Sequence, residues 1–190
     1  MKYALLLISF FVFDFAKAQN ENFEVRIIQD SAVVKPLENG VVKLQKKIFK
    51  IEIDLVGLEG IYLYASFKDN IYKINSNATI PDFKDIPAKS MAEEEFNPSQ
   101  ELLISEDGWA YWFYNPSDRW HRMDKDVTVV GNKTTIRKTI KQFYFGETEE
   151  NLAVEDNVKT LYLFFLAAKL DDNYSLATEI KRYKLKIQWL

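Results

Sequence analysis

The 190-residue chain is 47% hydrophobic and 15% aromatic, which argues against disorder, and it has no cysteine, which excludes a disulfide scaffold and a thiolate metal site. Its 25 basic and 28 acidic residues leave a formal charge of −3 and are interspersed with apolar positions. No basic stripe of the kind that follows a phosphate backbone is present, so nucleic acid is not an expected partner.

Met1 to Ala18 reads as an export signal. Lys2 supplies a positive start, Leu5 to Phe13 an apolar run of nine residues, and Ala16-Lys17-Ala18 a small-x-small cleavage pattern. Asp14 ends the run well short of the roughly 20 residues a membrane-spanning helix needs. The next longest apolar run, Leu161 to Ala168, has eight residues, so no integral membrane segment is expected after cleavage. Residues 19–190 then form one domain, secreted or periplasmic, of a length ordinary for a single core. Losing Lys2, Lys17 and Asp14 takes the formal charge to about −4.

Phe23 to Gln29 alternates Phe23, Val25 and Ile27 against Glu24, Arg26 and Ile28, the pattern of a half-buried strand. Ser31 to Leu37 predicts a second, with Pro36 marking an edge or an exit. Asn39-Gly40 predicts a two-residue type I′ hairpin. In Ile48 to Leu55, Phe49, Ile51, Ile53 and Leu55 alternate with Lys50, Glu52 and Asp54. That predicts an antiparallel strand with its charged face in water. Gly57 and Gly60 bracket a turn before a strand over Ile61 to Phe67.

Residues 70–98 lose periodicity and form a long excursion with at most a helical turn near Ser90 to Phe96, a candidate wall for a site. Trp109 to Met123 holds three of the four tryptophans and the only histidine. It predicts an aromatic hairpin turning at Asn115-Pro116-Ser117-Asp118. Gly131-Asn132 predicts a type II′ hairpin between Asp126–Val130 and Lys133–Phe145. In the latter strand Ile136 and Ile140 differ in parity from Phe143 and Phe145, which suggests a β-bulge near Lys141-Gln142. Leu161 to Leu170 is apolar on both faces and fits a central strand or a buried helix. Asp171-Asp172-Asn173 turns the chain, and Tyr183, Leu185, Ile187 and Trp189 share one face of the last strand.

About ten strands, their turn signals and the lack of strand–helix alternation predict an all-β antiparallel sandwich, of jelly-roll or immunoglobulin-like topology, with one long irregular excursion.

The chemistry is sparse. His121 with Asp118 or Asp124 lacks a presented serine, and no Gly-x-Ser-x-Gly elbow occurs. No catalytic residue is assigned. A lone histidine without cysteine excludes a zinc site, and no cofactor is expected. Glu106-Asp107-Gly108 and Asp171-Asp172-Asn173 read as turns rather than calcium loops. A glycosidase needs two carboxylates about 5–10 Å apart. Glu93, Glu94, Glu95, Glu106 and Asp107 supply candidates without selecting a pair. Asn77, Asn132 and Asn173 head glycosylation acceptor triplets, relevant only in a host with that machinery.

The aromatic hairpin offers a surface. With Trp109, Tyr111 and Phe113 inward, Trp112 and Tyr114 face out beside Trp120 and Arg122, and such a face suits a sugar ring or a protein partner. The same rings can instead be cross-strand pairs covered by the excursion. The reading is an exported, non-catalytic binding or protein-interaction module whose ligand is a carbohydrate or another exported protein. Its alternatives are a carbohydrate-active enzyme on a sandwich scaffold and an inhibitor or accessory subunit.

Export is directly testable. Replacing Ala18 by a bulky residue should leave an uncleaved, membrane-associated precursor, read by N-terminal sequencing of fractionated cells. Recovering the native chain intact from the cytoplasm overturns the signal assignment.

Overall fold

The computed structural model describes residues 21–58, 60–69, 127–145, 150–170 and 176–190, together with the short strands at 88–89, 102–104 and 109–113. In chain order the strands are β1 (Asn22–Gln29), β2 (Ala32–Val34), β3 (Val41–Leu44), β4 (Phe49–Val56), β5 (Gly60–Ser66), β6 (Ala88–Lys89) and β7 (Leu102–Ile104). There follow β8 (Trp109–Phe113), β9 (Val127–Val130), β10 (Lys133–Ile140), β11 (Gln142–Phe145), β12 (Glu150–Ala153), β13 (Leu161–Leu170) and β14 (Leu176–Trp189). A five-stranded sheet, ordered β2-β1-β4-β10-β9, packs on a six-stranded sheet ordered β3-β14-β13-β5-β8-β6, and β12-β11-β7 form a small third sheet. The fold is the expected all-β sandwich. Most ladders are antiparallel, but β3 runs parallel to β14, β7 to β11 and β6 to β8.

The core lies between the two large sheets, and the period-2 pattern decides which side chains enter it. From the five-stranded sheet come Phe23, Ile27, Phe49, Ile51, Ile53, Leu55, Ile136 and Ile140. The six-stranded sheet sends Val42, Leu44, Ile61, Leu63, Leu161, Leu163, Phe165, Leu185 and Ile187 to meet them. Lys138 interrupts the first set: it pairs with Ile51 on the inward parity of β10 and is 1% exposed. Leu161–Leu170 is the interior strand its two apolar faces suggested, since Phe164 and Leu166 on the outer face are as buried as Phe165 on the inner one.

Several expectations need correcting. The type I′ turn is not at Asn39-Gly40 but at Asp30-Ser31, where both φ values are positive (52° and 62°) and Gln29 pairs with Ala32. Around Asn39 only Gly40 has positive φ, at 74°. Gly40 N–H donates to Leu37 O (2.9 Å) and Leu37 N–H to Val41 O (2.8 Å), closing a three-residue loop with a left-handed glycine at its end. That loop carries the chain from one sheet to the other, because β2 and β3 belong to different sheets. Gly131-Asn132 does close a two-residue hairpin, with positive φ at the glycine alone, as type II′ requires. The parity change near Lys141 is not a bulge within one strand. There β10 ends in the five-stranded sheet and β11 begins in the small one.

β14 closes the core at the far end. Leu185 and Ile187 are 1% and 0% exposed. Trp189 is half-buried, with its ring 6.1 Å from Phe49 and 6.3 Å from Phe143, and its Nε1 donates to Lys159 O at 2.6 Å. Ile187→Ala should therefore cost about 3–4 kcal/mol, and Trp189→Ala about 3 kcal/mol, in urea unfolding followed by circular dichroism. Unchanged midpoints for both variants are incompatible with β14 as a core strand.

Candidate functional site

The expected wet face of β4 is wet at Lys50 but not at its two carboxylates. Glu52 and Asp54 are 8% and 3% exposed. Because β4 is the central strand of its sheet, both neighbours reach over it. Arg26 on β1 and Arg137 on β10 are the cross-strand partners of Glu52. Arg26 Nε donates to Glu52 Oε1 at 2.7 Å, and Arg137 Nε to Oε2 at 2.5 Å. Arg26 Nη2 also donates to Asp54 Oδ2 at 2.6 Å, while Lys133 Nζ lies 2.8 Å from that oxygen and Thr135 Oγ1 donates to Oδ1 at 2.6 Å. Burial alone would raise both carboxyls, but the hydrogen bonds and charge of their partners outweigh it and hold both below the ordinary range. The same ladder raises Arg26 against the desolvation that opposes it. Held ionised and engaged, these carboxylates cannot serve as a raised-pKa general acid.

The outer face of the six-stranded sheet has different chemistry. Tyr64 and Phe164 are a cross-strand pair, each 1% exposed, with Leu166 and Tyr62 beside them. Cations of β14 lie over the rings: Lys184 Nζ is 5.3 Å and the Arg182 guanidinium 6.0 Å from the Phe164 centroid, and Lys186 Nζ is 5.6 Å from Tyr162. Arg182 is itself paired with Glu179. Burial, then the charge of Arg182, lowers the Lys184 ammonium. Burial also raises the Tyr62 phenol.

A shallow cleft of about 240 Å³ separates β1 from β14, lined by Phe23, Glu24, Val25, Arg26, Lys181 and Tyr183. Lys181 Nζ crosses it to donate to Asn22 Oδ1 (2.9 Å) and Phe23 O (2.6 Å), and lies 5.1 Å from the centroid of the Phe23 ring.

Of the residues singled out in the sequence, Trp112 lies on β8, where its backbone partner is Ile61, while Tyr111 partners Tyr62 on the opposite parity. Tyr114, Trp120 and Arg122 lie outside the described residues, as do His121, Asp118, Asp124, Glu93, Glu94, Glu95, Glu106, Asp107 and Asp171-Asp172-Asn173. The cation row of β14 is not among the expected site residues, although Arg182, Lys184 and Lys186 alternate with Tyr183, Leu185 and Ile187 in the sequence. Among the described residues no three His, Asp or Glu side chains gather as metal ligands. Comparison of the chain with protein-family models, curated proteins and solved structures finds no match.

The ladder gives a pH signature. Because the folded-state values of Glu52 and Asp54 are depressed, their contribution is complete above about pH 4–5 and is lost as pH falls through the folded values. Melting temperature should fall steeply below about pH 4, and the double variant Glu52→Gln, Asp54→Asn should flatten that acid limb. Asp54→Ala should cost about 1–2 kcal/mol at pH 7, since it leaves the buried Thr135 hydroxyl and the part-exposed Arg26 and Lys133 without this partner. An acid limb unaltered in the double variant excludes the ladder as its source.

Proposed function

We propose that the chain is an exported, non-catalytic binding module that engages a carbohydrate or another exported protein through Trp112, Tyr114, Trp120 and Arg122. The observation that carries this reading is the position of β8. It lies antiparallel to β5, second from the end of the six-stranded sheet, with only the two-residue β6 beyond it. That places Trp112 one strand in from the sheet margin, and Tyr114, Trp120 and Arg122 follow it closely in the sequence. Trp and Tyr bring large rigid contact area with a polar tip, and Arg stacks on either. The non-catalytic part of the reading is supported by the two described buried carboxylates, Glu52 and Asp54, both committed to cations.

The test uses the purified exported chain against cellulose, chitin and xylan, and cross-linking to the other exported proteins of the same cells. Trp112→Ala and Trp120→Ala should each weaken capture by more than about 1 kcal/mol, or roughly fivefold, while melting close to the parent. Phe165→Ala, at a core position 0% exposed, is the control for lost burial. If both tryptophan variants melt as early as that control, the rings are core and the site is withdrawn.

A further inference from the structure

Most of the described strand edges of the two large sheets carry a guard, and β9 does not. Beyond β1, β2 covers only Ile27–Gln29, so Asn22–Arg26 has an open side. There Asn22 Oδ1 accepts the Phe23 N–H at 2.9 Å and Lys181 Nζ donates to the Phe23 carbonyl at 2.6 Å, which caps the edge groups of that residue. β2 is three residues long and runs into Lys35 and Pro36. The stretch of β14 that β3 does not cover carries Lys181, Arg182 and Lys184, β3 itself carries Lys43, and β6 carries Lys89. Lysine, proline and shortness are the ordinary defences of a sheet edge. β9 has only shortness. Its sequence is Val127-Thr128-Val129-Val130, uncharged and β-branched throughout, with Val129 and Val130 at 52% and 70% exposure.

The hairpin at Gly131-Asn132 sets which backbone groups this edge offers. Val130 pairs with Lys133 and Thr128 with Thr135, so their N–H and C=O groups point to β10. Those of Val127 and Val129 point outward. We propose that a second copy of the chain takes them. The two β9 strands lie antiparallel about a two-fold axis, with Val127 of each opposite Val129 of the other and Thr128 opposite Thr128. Two five-stranded sheets thereby become one continuous sheet.

The occupant is a second copy on grounds of charge and symmetry. An antiparallel edge paired about a two-fold is complementary to itself, and here it sets only valine and threonine opposite each other. The nearest described cations, Lys133 and Arg137, are already paired with Asp54 and Glu52. Across the axis they stand about three strand spacings, roughly 14 Å, from their counterparts, beyond the ~8 Å screening length. Thr128 Oγ1 accepts from Arg137 Nη1 at 3.3 Å, which leaves its hydroxyl proton for the facing threonine. An edge this short buries far less than the ~1,200 Å² of a stable interface, so the dimer is weak, with a dissociation constant on the order of 10–100 μM.

The chain has no cysteine, so one introduced thiol reports the geometry without background. Facing residues of a non-hydrogen-bonded antiparallel pair have Cα atoms about 4.5 Å apart, within disulfide range. Thr128→Cys under mild copper-phenanthroline oxidation at about 50 μM should give a disulfide dimer. Val130→Cys, whose two copies stand roughly 14 Å apart in this register, should remain monomeric. Sedimentation of the unmodified exported chain should show a concentration-dependent dimer that Val129→Lys removes without lowering the melting temperature. Equal cross-linking of the two cysteine variants, or a single monomeric species up to about 1 mM, overturns the proposal. So does cross-linking of Thr128→Cys to a different exported protein in place of itself.

Discussion

The shared carboxylate of Glu52 is the constraint on which the five-stranded sheet depends. One oxygen takes Arg26 from β1 and the other Arg137 from β10, so three strands are joined at one register position. A slip of one residue in either neighbour would turn its arginine into the core and its inward Ile27 or Ile136 into water. Charges removed from water repay their desolvation only with good geometry, so the value of such a ladder lies less in net stability than in selecting one alignment. Asp54, two residues on, repeats the device with Arg26, Lys133 and Thr135.

The six-stranded sheet covers its outer face by other means. Tyr62, Tyr64, Phe164 and Leu166 form an apolar layer there, and the long basic side chains of β14 lie across part of it. Lysine and arginine stems bury hydrocarbon while their charged ends stay near aromatic faces or water. The sandwich thus has one outer face locked by ion pairs and one that is aromatic and cationic. β8 joins the second, with Tyr111 opposite Tyr62. This is the reverse of the expected parity, since Trp112 stands at the register position of Ile61, a core residue.

Much of the fold was legible in the period-2 pattern. The strands at Phe23–Gln29, Phe49–Leu55, Leu161–Leu170 and Arg182–Trp189 were readable because alternating apolar residues must face a core. The hairpin at Gly131-Asn132 was readable because glycine tolerates positive φ. Asp30-Ser31 carries no such signal for the complementary reason. Serine is a poor choice for the left-handed region, and the β1–β2 ladder that closes on Gln29 and Ala32 holds it there. Of the candidate surface, the aromatic and cationic composition was legible at Trp112, Tyr114, Trp120 and Arg122, whereas the pairing of Trp112 with Ile61 was not.

What the sequence determined by itself was the all-β class, the identity of the main core strands and the absence of disulfides, because each follows from local periodicity or from composition. Tertiary structure decided which sheet each strand joined. It turned the Asn39-Gly40 loop into a crossing between sheets, ended β10 at Ile140, and set β3 parallel to β14 across a long separation in the chain. It also decided that Glu52 and Asp54 would be buried. Alternation marks a strand's two faces, but whether the polar face meets water depends on the arginines and lysines that distant strands bring to it.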